Sequence, residues 1–393
     1  VCSSDLGESI VFPGSHCPKC GRAINWYDNI PLFSWLLLRG RCRNCRAPIS
    51  PGYLVIEAVT SLLVAGLYAA YFLLDVRDGA GRFQDSWPMF AAHAALVCGL
   101  LACSIVDIEM WIIPLEVMWV CSAVGVGAAA VWPHPFWTEV PPTAAAMGFA
   151  ALPGLGIALL LVRRGLLQRS FIDAGDVPTP PPAKPEKQSV KPKSGKAKGR
   201  KKGRKQDAMP PAEPIRAAAV RKSDGVNPRI EVLREVLFLA PAIVLAVGAG
   251  VLLSAVPAAE KAWQGLFDRR EMPFLAPRMS AVGSAVFGYL IGGLIVWGVR
   301  ILGTLGFGKE AMGLGDVHIM AAVGAVAGWV VPTVAFFVAP FLGLLWALRL
   351  WLSRNQKELP YGPWLAAASV VVMVFSDFFR DLLEPFARVF AGA

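Results

Sequence analysis

The chain has 393 residues, of which 55% are hydrophobic and only 17% charged, with 13 tryptophans and a mean hydropathy of +0.52. Those values exclude a soluble enzyme and predict an all-α polytopic membrane protein of about eight to nine hydrophobic helices, because a bilayer forces backbone groups to bond within helices. The net charge of +10 is local: Arg163 to Glu231 holds 18 Lys and Arg against 7 Asp and Glu, so the rest of the chain is close to neutral.

Val1 to Leu6 reads VCSSDL, which matches the translation of a sequencing-library adapter, and no initiator Met stands before it. Residues 1–6 are therefore expected to be an artefact, with the true N-terminus missing.

Residues 7–53 form a polar segment with four cysteines, as Cys17-Pro-Lys-Cys20 and Cys42-Arg-Asn-Cys45. Two CxxC pairs separated by 21 residues have the spacing of a tetrahedral zinc site, each tight turn supplying two thiolates. Four thiolates leave no open position for water, so the role of this zinc loop is structural. Disulfides are the alternative for the same cysteines. Cys98, Cys103 and Cys121 lie in apolar stretches and read as small buried hydrophobes.

Apolar stretches of about 20 residues come next, in order: Leu54 to Leu74, Pro88 to Val106, Ile112 to Trp132, Thr143 to Val162, Val232 to Val256, Ser280 to Val299, Val331 to Leu352 and Pro363 to Phe379. A shorter one runs from Val317 to Val330. Lys19, Arg22, Arg39, Arg41, Arg43 and Arg46 put the zinc loop in the cytoplasm by the positive-inside rule. Four spans then return the chain to the cytoplasm where the basic linker begins, and two more deliver it there again. The linker, about 171–228, has too little apolar content to fold alone. It reads as a cytoplasmic tether that touches anionic lipid headgroups. No aromatic residues interleave with its charge as a stacking platform, so nucleic acid is not an expected partner.

Two acids carry the chemistry. Asp107 lies where an apolar stretch ends, in Ser104-Ile-Val-Asp107-Ile-Glu109, shortly before Pro114. Asp316 ends the turn Gly313-Leu314-Gly315-Asp316, where a hydrophobic helix is expected from Val317 to Trp329. Gly313 and Gly315 suit a substrate-binding turn that another chain can approach closely; capping of that helix by Asp316 is the simpler reading. The expected topology brings both acids to one depth. Aspartic proteolysis needs such a pair: one carboxylate, ionised, activates water while the other, protonated, polarises the scissile carbonyl. Glu109 is the rival partner.

These residues resemble a family. The loop His16-Cys17-Pro-Lys-Cys20-Gly21, Trp26-Tyr-Asp-Asn-Ile-Pro31, Ser34-Trp35-Leu, Arg39-Gly-Arg-Cys42 and Pro48-Ile-Ser50 leading to Glu57 is similar to the cytoplasmic domain of bacterial type IV prepilin peptidases. Asp107 to Pro114, Met312 to Val317 with Ala321 to Trp329, and Leu359-Pro-Tyr-Gly-Pro-Trp364 resemble the rest of that pattern, in order. The resemblance covers roughly Ser15 to Val131 and Ser280 to Ala368. It implies a GxGD-type aspartic endopeptidase of the bacterial inner membrane that removes the short basic leader of type IV prepilins and pseudopilins on the cytoplasmic side, after a Gly. It also implies N-methylation of the new terminus from S-adenosylmethionine, associated with the zinc loop; the residues that bind this cofactor are not identified. On the same footing Asp107 and Asp316 are the catalytic pair and Cys17, Cys20, Cys42 and Cys45 the zinc ligands.

The chain departs from the family in three ways. The first transmembrane segment before the zinc loop is absent; His318 stands where Lys is more usual, and Leu115 where an acid is; and Pro133 to Met279 exceeds the family core. An even number of added spans preserves the orientation of the helices beyond them. The expected organisation is thus a zinc loop at 7–53, helices with the first acid at 54–132, an insertion at 133–279 with two extra spans and the linker, and helices with the GxGD turn at 280–385. A presenilin-type protease lacks the paired-CxxC loop and would carry a Pro-Ala-Leu motif. A non-catalytic adaptor docking a pilus or secretion ATPase, and a transporter using the acids as proton-coupled sites, are the readings from other classes.

Overall fold

The computed structural model describes residues 16–17, 19–30, 32–77, 79–133, 140–168, 170, 227–353 and 360–382. The expected artefact at 1–6, linker residues 171–226, Leu359 and the last residues of the GxGD block lie outside them. Among the described residues the regular elements are helices: a short 3-10 turn at Trp26–Asn29, then α1 Phe33–Leu37, α2 Pro51–Phe72, α3 Phe83–Met110, α4 Leu115–Val131, α5 Pro142–Arg163, α6 Pro228–Ala255, α7 Pro257–Gly265, α8 Leu275–Phe307, α9 Leu314–Ala327, α10 Val330–Ser353, α11 Gly362–Val374 and α12 Ser376–Leu382. Five of them, α2, α3, α5, α6 and α8, are long and apolar enough to cross a membrane; α11 and α12 form a sixth candidate, bent by 84° between them. With the shorter apolar α4, α9 and α10, the described residues contain nine apolar helices, and the chain is an all-α, multi-pass membrane protein.

Local signals set the ends. Ser50 caps α2, its hydroxyl accepting the Gly52 N–H at 3.2 Å, with Pro51 in the first turn. Helix α3 stops at Trp111, which takes the left-handed conformation (φ 59°) and returns its N–H to the Asp107 carbonyl. Pro114 then stands at the cap of α4. The helix after the GxGD turn begins at Leu314, three residues before its expected start. Asp316 is therefore inside the first turn of α9 and not its cap, still where the helix dipole favours a carboxylate.

The described residues fall into two compact units. One comprises residues 1–149, 250–297 and 314–393. Its centre is α9, which packs on α3, α4, α10 and α11 and whose residues from Asp316 to Ala327, His318 aside, are buried. Glycine and alanine let its neighbours approach backbone to backbone. A Cβ at Gly288 of α8 would lie 2.2 Å from the Gly324 carbonyl oxygen, one at Gly292 would lie 2.1 Å from that of Met320, and one at Gly125 of α4 would lie 2.7 Å from that of Ala325. In lipid, where apolar burial drives helix association little, such close packing supplies the attraction.

The other unit comprises residues 150–249 and 298–313. Within it α5 meets α6 at Gly154, where a Cβ would fall 2.4 Å from the Ala242 Cα. Arg300, from the last turns of α8, is buried there against Glu235 of α6.

Gly292→Val places a branched side chain into the backbone of α9 and is expected to destabilise the protein by about 3 kcal/mol, the upper end for overpacking. Gly127→Ala, at a position with open space, is expected to stay within about 0.5 kcal/mol of the parent. Thermal unfolding in detergent checks both; equal midpoints for the two variants would contradict the packing argument.

Candidate active site and metal centre

The four cysteines are held by two copies of one turn. In the first, the Cys17 N–H donates to the Arg22 carbonyl at 2.9 Å and the Gly21 N–H to the Cys17 carbonyl at 2.8 Å. In the second, Cys42 donates to Ala47 and Arg46 donates to Cys42, both at 2.9 Å. Each turn passes through a left-handed residue, Gly21 (φ 65°) and Arg46 (φ 55°), and each is closed by an isolated antiparallel bridge, His16 to Ala23 and Arg41 to Pro48.

The turns face each other so that all four sulfurs lie within 4.8 Å of one another. Cys17 and Cys45 are 3.8 Å apart, too far for a disulfide, and none of the four is in one. Zn–S bonds of about 2.3 Å in a tetrahedron put sulfurs about 3.8 Å apart, so the donor set fits zinc. The electrostatics agree. The Arg22 backbone N–H and then the Asn44 amide draw the Cys20 thiol down to about 6. The Cys45 and Asn44 backbone N–H groups lower Cys42, and thiolates are the form that binds metal. Although the Ala47 N–H pulls Cys45 down, burial and its three thiol neighbours push it up to about 11; thiolates so crowded call for a cation among them.

Polar pairs brace the loop. Arg22 donates to Asn44 at 2.7 Å and Arg43 forms a two-pronged ion pair with Asp28 at 2.7 and 2.6 Å. The Leu32 N–H donates to Glu57 at 2.8 Å and fastens the loop to the second turn of α2.

The second site forms where three helix ends meet. Asp107 lies in the last turn of α3 and Asp316 in the first turn of α9, each 7% exposed. Asp107 reaches the start of α11. The Gly362 N–H donates to the Asp107 carboxylate, and the Asp316 charge acts on the phenol of Tyr361, the residue beside it. Ile113, in the link between α3 and α4, wedges between the elements: a Cβ at Gly315 would lie 2.6 Å from the Ile113 Cβ, and one at Gly362 would lie 3.4 Å from its Cδ1 and 2.7 Å from the Asp107 Oδ2. The second glycine of the GxGD turn is thus a packing requirement set by Ile113. Gly313 directly precedes α9.

Glu109 is exposed, unlike the two nearly buried acids. His318 packs its ring edge-on against Trp119 of α4, with ring centres 6.2 Å apart. The sequence alone gives no role to Ile113, Tyr361 or Gly362. The Pro-Tyr-Gly-Pro run was the available signal, since a glycine opening a buried helix implies a neighbour pressed against it.

A family model described as the bacterial peptidase A24 N-terminal domain matches residues 1–71. The chain is 36% identical over 384 residues to a prepilin leader peptidase/N-methyltransferase of Stutzerimonas stutzeri, a match covering 97% of this chain and 78% of that protein. It is 41% identical over 111 residues to one of Myxococcus xanthus, covering 28% of this chain and 29% of the relative. Over 174 residues it is 32% identical to a type 4 prepilin-like proteins leader peptide-processing enzyme of Escherichia coli, covering 43% and 56% respectively. Against these last two the match spans less than two thirds of the relative. No solved structure matches the chain.

Two outcomes are expected at these sites. The purified protein should carry about one zinc ion per chain, and Cys42→Ser markedly less, by elemental mass spectrometry; equal metal content would contradict the tetrahedral reading. Gly362→Ala, which pushes a methyl group into the Asp107 carboxylate, should destabilise the protein by about 1 to 3 kcal/mol. An unfolding midpoint in detergent equal to the parent's would contradict the contact.

Proposed function

Because the chain belongs to the prepilin leader peptidase/N-methyltransferase family, we propose that it is an aspartic endopeptidase of the bacterial inner membrane. Its substrates are the precursors of type IV pilins and pseudopilins, cut at the cytoplasmic face. The observation that supports this reading is that Asp107 and Asp316, each 7% exposed, lie at helix ends joined by Ile113, which packs against both Gly315 and Gly362. Two acids distant in sequence, both nearly buried, are costly unless they work together.

In the proposed reaction the two carboxylates share one proton. The ionised member takes a proton from water, whose oxygen attacks the carbonyl carbon of the scissile peptide; the protonated member donates first to the carbonyl oxygen, and the leaving amine is then protonated as the C–N bond breaks. Like charges held close cannot both ionise, so the pair titrates as a unit. Gly313, exposed just ahead of α9, would let an extended substrate strand approach the backbone, whereas the space over Gly315 is filled by Ile113. Both acids sit at helix ends, where a peptide arriving from the membrane surface could reach them. A proton relay for transport would more naturally use acids in mid-helix.

The zinc loop is proposed to serve the second activity, methylation of the new N-terminus, with S-adenosylmethionine supplying the methyl group. Cys17, Cys20, Cys42 and Cys45 would hold a structural Zn²⁺ and so fix a loop with little core of its own. The linker at 171–228 is proposed to lie on anionic lipid through its Lys and Arg clusters, with no role toward nucleic acid.

Co-expression with a prepilin tests the central step. Asp107→Asn and Asp316→Asn should each abolish leader removal, at least a thousandfold, with folded protein still present in the membrane. Processing at the parental rate by either folded variant would remove the aspartic mechanism.

A further inference from the structure

Arg300 is a large side chain buried almost completely, at 1% exposure, near the end of a largely apolar helix. A guanidinium in that setting is expensive unless its donors are matched by good acceptors. Its Nε donates to Glu235 of α6 at 2.6 Å, and Glu235 is itself 2% exposed. Its Nη1 donates both to the Glu310 carboxylate and to the Met312 backbone carbonyl. Met312 directly precedes the Gly313-Leu-Gly-Asp316 turn.

The anchor of this arrangement is further braced. The Ser170 hydroxyl donates to Glu235 at 3.0 Å, and Arg234 pairs with Glu231 and donates to Gln168, both at 2.5 Å. Ser170 and the first turns of α6 flank the basic linker on either side. The inserted segment therefore supplies the acid that holds Arg300, and Arg300 holds the residues leading into the turn.

We propose that Arg300 is a positioning residue for Asp316: anchored by Glu235, its rigid fork fixes the Glu310–Met312 segment and thereby the approach of the chain to the GxGD turn. This rests on the reading of Asp316 as catalytic. A guanidinium presents its donors in one plane at fixed angles, so it sets direction as well as distance. A single ammonium cannot do both.

The test measures kcat and KM for prepilin cleavage by the full-length protein in membranes, with thermal stability followed in parallel. Arg300→Lys keeps the charge and loses the fork; kcat is expected to fall about tenfold with KM within about twofold, a fraction of the loss an ångström's misplacement can cause. The exchange Arg300→Glu with Glu235→Arg restores the buried pair in reverse, so stability should recover. Cleavage should stay about tenfold down, because a carboxylate at 300 cannot donate to the Met312 carbonyl and repels Glu310.

Glu310→Ala, at a half-exposed loop position, should fold even if the buried variants do not, and should lower kcat several-fold. Parental kcat in Arg300→Lys, in Glu310→Ala, or in the stable exchanged pair would overturn the inference. If Asp316→Asn cleaves normally, the catalytic reading itself fails; if Asp316→Asn is inactive while every Arg300 and Glu310 variant cleaves normally, only this inference fails.

Discussion

The structure of the acid-bearing unit depends on how closely two backbones can approach. At Gly288 and Gly324, and again at Gly292 and Met320, α8 and α9 leave no room for a Cβ, and Gly125 brings α4 onto the other side of α9. The gain is dispersion and close fit between helices that have no water to escape from. Fixed on two sides by backbone contact, α9 has little freedom to slide or turn, and the side chain in its first turn inherits that definition. An acid on a loosely packed helix would sample several positions. Such packing fixes the helix that carries Asp316.

The rest of the site is set by where helices stop. Helix α3 ends one turn after Asp107 because Trp111 takes a left-handed conformation, and the chain then folds Ile113 back against Gly315 and Gly362. Helix α11 begins at the same place, and its Gly362 N–H meets the Asp107 carboxylate where a helix dipole is positive. Helix ends, unlike helix centres, carry backbone donors and carbonyls unpaired within the helix. That makes them the one place in an apolar fold where a buried charge can be met without importing another charged side chain. The zinc loop solves a different problem by a different route: too small for a core, it uses two copies of one turn, aimed at a common point.

What could be read from the sequence was what is encoded locally. A CxxC turn is complete within a few residues, so Cys17, Cys20, Cys42 and Cys45 were legible, and their convergence was implied by their chemistry. The apolar helices were legible because the bilayer imposes length and composition on each separately. The start of α9 was placed three residues late because Gly315 reads as turn, yet here it lies inside a helix held by tertiary contact. The contacts of Ile113 with Gly315, of Gly362 with Asp107 and of Arg300 with Glu235 were not legible, since each joins elements far apart in the chain. Residues 133–279 are the plainest case: they read as extra length that leaves orientation unchanged, whereas Glu235 within them pairs with a buried arginine at the approach to the GxGD turn.

On the proposed aspartic mechanism, the two carboxylates face one another across the start of α11. The most direct measurement replaces Asp107 and Asp316 by cysteine, with Cys98, Cys103 and Cys121 changed to serine, and treats membranes with a short bis-thiol-reactive linker. Trypsin then cuts the Lys- and Arg-rich stretch around Lys196 to Lys205, which separates the two positions in sequence. If the side chains face each other, the halves stay joined on a denaturing gel. If they part into two fragments, while a control pair at Ala145 and Gly283, positions in direct contact, stays bridged, the acids do not meet and the account is contradicted.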